Sequence, residues 1–404
     1  LTKIDYVYKN EHEMKKLSII LIFLLFNLLP KLYSQEKPDT EVYLITCNPG
    51  VETYSHYGHS ALRVIIPESK IDLVYNWGVF DFSTPNFAWK FAKGRLDYKL
   101  VAYTFQQFLT DYFFEKRSVF QQKINLEPAE LKTLLFLINE NLRPENVRYR
   151  YDFFYDDCST RIRDLLEKSM GEKFIYPPSE TRKLPSFRDK VGEYQKHYPW
   201  LDLGIDIIMG ISADKKATLR DQMFLPFDLK RGLSEILINR ENKMIPLLQN
   251  AESVFEFDLP EYTDRIYFSP LMVLSFILIL TIIFSAMFKG VMINKLIDII
   301  LFTGFSILAI LMIFFNFFTD HQQMKWNFNI IWLNPLLVLC LFSIVFNRNC
   351  QICFRLVFYS ALIFLIPLIF LPYIFNNGLI PLAMIIILRS SARAGFSWNP
   401  FAIN

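Results

Sequence analysis

The chain is poor in the features that mark several large protein classes. Among its 404 residues it has 5 histidines, 5 cysteines and 13 glycines, and its net charge is only +3. A near-neutral chain of this length carries no basic footprint for nucleic acid. It has no glycine-rich phosphate loop and no internal repeat. What it has in excess is apolar surface. The sequence is 52% hydrophobic with 40 phenylalanines, and this load is spread unevenly.

The first apolar run follows Met14, Lys15 and Lys16, continues as SIILIFLLFNLLP, and meets Ser34 in LYSQ. A basic start, an apolar stretch and a small residue read as a signal peptide over 14–34, with an uncleaved anchor as the alternative. Residues 1–13 read as a mis-called N-terminal extension. Further runs occupy 268–288, 296–318, 330–346 and 356–375, near or above the roughly 18 to 20 residues that cross a bilayer. A shorter run at 379–388 contains Pro381. Lys289, Lys295, Arg348, Arg355, Arg389 and Arg393 fall in alternate loops, while 319–329 has one lysine and 376–378 none. The positive-inside rule therefore puts 36–266 outside and the C-terminus in the cytoplasm, with five spans and four as the alternative.

The organisation expected is an exported domain at 35–266, a membrane domain at 267–395 and a short tail at 396–404. About 230 residues suffice for one cored domain. EVYLITC (41–47), SALRVII (60–66) and DLVYNW (72–77, ended by Gly78) read as strands. Residues 128–142 read as a helix with Leu131, Leu134, Leu135 and Ile138 on one stripe. Strands before helices predict an α+β domain, followed by an all-α membrane domain.

In YDDCSTRIRDLL (155–166), Asp157 is a good N-cap, so Cys158 takes the first helical position and Gly171 ends the helix. Ile162, four residues on, puts Cys158 on the buried stripe at the positive end of the helix dipole. That position stabilises a thiolate, and its free amides can serve an oxyanion. Asp156 and Asp157 push the thiol the other way, so a base is needed. His59, entering a strand behind Gly58, is the best candidate, with Asn76 orienting it and Asp72 behind Asn76. His197 reads as a loop histidine. Two other readings stay open: a structural disulfide between Cys158 and Cys47, and a His56/His59 metal pair, which strand geometry disfavours. Cys340, Cys350 and Cys353 are expected as free thiols.

YSHYGHSALRV followed about a hundred residues later by YDFFYDDCSTRIRDLL resembles the permuted branch of the NlpC-like, papain-like fold. With DLVYNWGVFDFSTPNFAWKFAKGRLDYKL, LGIDIIMGISADKKATLRDQMFLPFDL and TDHQQMKWNFNIIWLNPL, the chain resembles the bacterial inner-membrane lipoprotein N-acyltransferases of the Lnb type. One position departs: asparagine is common before the cysteine, and here it is Asp157. The resemblance implies a cysteine-dependent acyltransferase with Cys158 and His59 as the catalytic pair. It implies a membrane phospholipid as acyl donor and lipoproteins as acceptor, with no metal or cofactor. Tyr155, Arg161 and Arg163, and in the membrane part His321, Asn327 and Asn334, are the candidate substrate contacts. For the arginines, solvated helix charges are the alternative; for the 319–329 loop, an ordinary interfacial loop anchored by Trp326. A tethered thiol hydrolase is the competing activity.

Overall fold

The computed structural model describes residues 40–177, 184–240, 243–258, 268–288, 291–370 and 376–396. The expected extension and signal peptide lie outside these residues.

The first half is built on one antiparallel sheet. Strands β1 (Glu41–Cys47), β2 (His59–Ile66), β3 (Ile71–Val79), β4 (Asp97–Thr104), β5 (Val119–Lys123) and β6 (Arg148–Arg150) contribute to it. A hairpin of β7 (Leu237–Arg240) and β8 (Lys243–Pro246) stands apart, and β9 (Glu252–Phe255) closes the sheet in the order β6-β4-β3-β2-β1-β5-β9. β1 is an interior strand, and its string of apolar residues follows from cover on both faces. Val42 and Leu44 pack with Leu62, Val64 and Trp77, whereas Ile45 and Cys47 pack with Ala61 and Val74.

Helices cover those faces. In chain order they are α1 (Phe87–Ala92), α2 (Phe105–Phe114), α3 (Pro128–Leu142), α4 (Cys158–Met170), α5 (Phe187–Gln195), α6 (Pro199–Ile208) and α7 (Pro226–Glu235). α3, α4 and α7 bury the first face; Phe108 and Tyr112 of α2 bury the second. The three expected strands are present. The expectation that Gly78 ends the third is corrected. β3 runs on to Val79 with a shift in register between Asn76 and Val79, and Gly78 sits in that irregularity at φ +90°. Only glycine takes that backbone cheaply.

Among the described residues, five apolar helices form the second half: α8 (Pro270–Met287), α9 (Val291–Phe317), α10 (Leu336–Val345), α11 (Gln351–Phe370) and α12 (Leu379–Arg393). α10 is shorter than its apolar run because Asn334 and Pro335 break the chain, and a 3-10 turn at Phe328–Ile331 completes the crossing. Two expectations are corrected here. Arg389 is not a loop cation: α12 continues to Arg393, and Arg389 is buried against Asp298 at 2.6 Å, Ser285 at 2.5 Å and Asn294 at 3.1 Å. Cys350 and Cys353 are not free thiols but form a disulfide, because their spacing at the start of α11 brings the Cα atoms to 5.5 Å.

The two halves are bolted together at one end of the helices. Leu203 and Ile207 of α6 belong to the membrane core with Leu274, Phe302 and Leu379. Trp200 donates to the Phe268 carbonyl at 2.7 Å, and Asn376 donates to Asp202 at 2.7 Å. The connection after α9 is a bracket: Asp320 pairs with Arg95, the Gly210 amide donates to Gln323, and the Gln323 amide bonds Asp152. At the opposite end Lys295 bonds Asn347 and Arg355 bonds the Ala394 carbonyl.

Candidate active site

Cys158 opens α4. The Asp157 carboxylate accepts from the Thr160 amide at 2.7 Å, and the Asp157 amide donates to Thr160 Oγ1 at 2.7 Å. This capping box, worth about 1 kcal/mol, satisfies two end groups and fixes the first turn under the sheet. The sulfur is buried and faces N–H donors from Ser60, Ser159 and its own residue, with Ser159 Oγ at 3.8 Å. Burial raises the thiol pKa, and those donors oppose the rise.

Ser60 follows His59 at the start of β2, so His59 lies one residue along the strand from an amide that faces the Cys158 sulfur. His59 Nε2 donates to Asn76 Oδ1 at 2.6 Å, which leaves Nδ1 with the lone pair. Packing around the ring lowers its pKa to about 4, with the Arg117 charge adding to the effect and the Asn76 bond and Asp157 opposing it. The pair rests as neutral thiol and neutral imidazole. Asp157 is buried, and burial and Cys158 raise its carboxyl well above the usual range, which weakens the like charge beside the sulfur.

Around this pair stand residues that single-chain reading missed. Tyr112 of α2 lies parallel to the His59 ring at 6.5 Å. Arg117 is buried, sits 4.7 Å over Tyr112 and donates to the Asn48 carbonyl at 2.8 Å. Tyr149 has a buried hydroxyl with no partner among the described residues. Gly78 faces the cysteine: a Cβ there would stand 3.8 Å from Cys158 Cβ and 4.0 Å from Tyr149 Oη. None of these carries a local sequence signal, since β-pairing and helix packing bring them in.

The remaining candidates separate. Asp72 is not behind Asn76; it pairs with Arg63 through two bonds at 2.7 Å, four residues down the strand. Cys47 is free, as is Cys158, so the two do not form the alternative disulfide. Burial pushes the Cys47 thiol to about 12. His56 turns to the Tyr194 carbonyl at 3.0 Å, away from the His59 set. Arg161 and Tyr155 line one open cleft of about 600 Å³ with Arg148, Tyr149 and Lys168. Arg161 bonds Asp156 at 2.5 Å and lies 3.5 Å over the Tyr149 ring. Arg163 is buried and donates to the Arg220 carbonyl at 3.0 Å, so it is neither in that cleft nor a solvated charge. His321 bonds the Phe91 carbonyl at 2.9 Å, Asn327 donates to the Ile207 carbonyl at 2.6 Å, and Asn334 donates to Ile331 and Ser360. These three are occupied in holding the halves and the helices together.

A sheet domain with a buried cysteine at a helix start, ahead of five apolar helices, matches two family models. The Lnb N-terminal periplasmic domain matches residues 31–184 and the Lnb transmembrane domain matches residues 262–396. The chain belongs to the Lnb family. No curated protein and no solved structure matches it. As an Lnb protein it is a multi-pass inner-membrane enzyme of lipoprotein maturation, with its sheet domain in the periplasm. The family implies lipoprotein substrates and membrane lipid.

Proposed function

We propose that this Lnb protein moves an acyl chain from a membrane phospholipid to the α-amine of a lipoprotein's lipidated N-terminal cysteine, through a thioester on Cys158. The observation that carries this is Cys158 at the start of α4 among N–H donors from Ser60, Ser159 and its own residue, with His59, the residue before Ser60, held through Nε2 by Asn76. Such a neutral pair needs no prior ion pair. His59 Nδ1 takes the thiol proton as sulfur attacks the ester carbonyl, and the amides of Ser60 and Ser159 are suited to the oxyanion. Collapse breaks the ester C–O bond. The leaving alkoxide takes the proton from His59, and lysophospholipid departs. The acceptor amine then attacks the thioester and gives its proton to His59; the sulfur leaves and takes that proton back, and an amide remains. Atoms and protons balance with donor and acceptor alone.

Asn76 is the orienting group of this scheme, and Tyr149 Oη is available as a further donor to the oxyanion. The Arg161 and Tyr155 cleft carries Arg148 and Lys168 but also Glu145, Asp156 and Asp164, and Asp156 already pairs with Arg161, so it has no net charge that favours a phosphate head group. The cations at the far end of the helices support a cytoplasmic C-terminus. The test is mass spectrometry of a model lipoprotein's N-terminal peptide, in a host depleted of its own N-acyltransferase. Wild type is expected to give the N-acylated peptide and Cys158→Ala the free amine. A free amine from both, with the protein in the membrane, rejects transfer and favours the thiol hydrolase.

A further inference from the structure

The segment between β3 and β4 carries rings that the fold leaves more than half exposed. Phe82, Trp89 and Phe91 are 63%, 56% and 53% exposed, and Tyr54 beside them is 57% exposed. Together they present on the order of 400 Å² of aromatic surface, as large as a soluble protein normally tolerates in one patch.

One of them touches a membrane helix. Trp89 packs on Phe314 with ring centroids 5.6 Å apart. Phe314 lies three residues before the end of α9, which has 27 residues. That helix is about 40 Å long against a hydrocarbon core of about 30 Å, so each end overhangs by about 5 Å. Three residues are about 4.5 Å of rise, which sets Phe314, and with it Trp89, at the edge of the hydrocarbon. Tryptophan favours that depth. Lys93 stands 4.9 Å over the Trp89 ring, and Lys90 lies on the same helix, cations of the kind that suit lipid phosphates at that depth. The bracket holds this seat: the Asp320 amide donates to the Lys93 carbonyl at 2.9 Å.

From the seat, rings continue inward. Phe91 stacks with Phe87, Phe87 meets Phe82 and Phe80, and Phe80 meets Tyr98 at 5.3 Å. Tyr98 stacks on Tyr151 at 4.5 Å, and Tyr151 borders Gly78 opposite Cys158. We infer that the α1 segment is seated in the outer leaflet of the inner membrane and that its aromatic row guides a phospholipid acyl chain from the bilayer to Cys158. The guiding role rests on the donor proposed above; the membrane seat does not.

Two measurements on the full-length protein in phosphatidylethanolamine/phosphatidylglycerol nanodiscs test this. In the first, a fluorophore on Phe91→Cys, in a Cys158→Ala background, is quenched by nitroxide-labelled lipid or by aqueous iodide. Stronger quenching by lipid is expected; stronger quenching by iodide overturns the seat. In the second, thioester formation on Cys158 is followed by intact mass for Phe82→Ser/Trp89→Ser/Phe91→Ser against wild type. A loss of at least tenfold is expected with bilayer phospholipid, and less than twofold with monomeric dihexanoyl phosphatidylcholine. Equal loss with both donors, or none with the bilayer donor, overturns guidance. If wild type forms no thioester with either donor while the label is lipid-quenched, the donor proposal and the guidance fail together and the seat stands.

Discussion

At the scale of single residues, the proposed site combines a neutral thiol, Cys158, and a neutral imidazole, His59. The His59 pKa of about 4 lies below its unfolded value near 6.5. Unfolded chains therefore bind the extra proton between those values, and stability falls as pH drops from about 6.5 to about 4. His59→Gln is expected to flatten that part of the acid-unfolding curve relative to wild type, measured by tryptophan fluorescence. Because burial raises the Cys158 thiol, alkylation by iodoacetamide should still be climbing above pH 9, and His59→Ala should slow it at pH 7. The candidates Cys158, His59 and Asn76 stand out in the sequence because a cap, a glycine and a short strand each leave a local mark. Arg117 and Tyr149 left none. Asp72 was misplaced because its partner Arg63 is set by pairing across strands.

At the scale of elements, alternation and stripes revealed β1, β2, α3 and α4. They did not reveal the bend in β3, where Gly78 continues the strand instead of ending it. The end of α12 was also misjudged, since an arginine after an apolar run reads as a loop when its partner, Asp298, lies 91 residues away on another helix. That buried pair makes a clear prediction. Asp298→Ala leaves the Arg389 charge inside the bundle and should cost about 3–5 kcal/mol. Asp298→Ala/Arg389→Leu should recover much of it, seen as a higher melting temperature in detergent than the single variant. Gly210 gives a second test. A Cβ there would stand 1.9 Å from the Lys325 carbonyl oxygen, so Gly210→Ala must push the bracket away from α6. Faster proteolysis between 319 and 331 is the expected result, with the sheet-domain melt little changed.

At the scale of the whole molecule, hydropathy alone divided the chain into exported and membrane parts, and the family match agrees. What hydropathy could not show is how closely the parts are joined. The joint uses backbone carbonyls at Lys93, Ile207 and Phe268, which have no signature in side-chain pattern. It also uses Leu203 and Ile207, which read as ordinary core residues. α6 thus has consequences for biogenesis. It emerges from the ribosome ahead of every helix that will cover it, and Leu203 finds its place beside Gly378 only when the last span has arrived. A chain truncated before α12 therefore leaves Leu203 without its Gly378 contact, and faster proteolysis of α6 in that chain is the expected result.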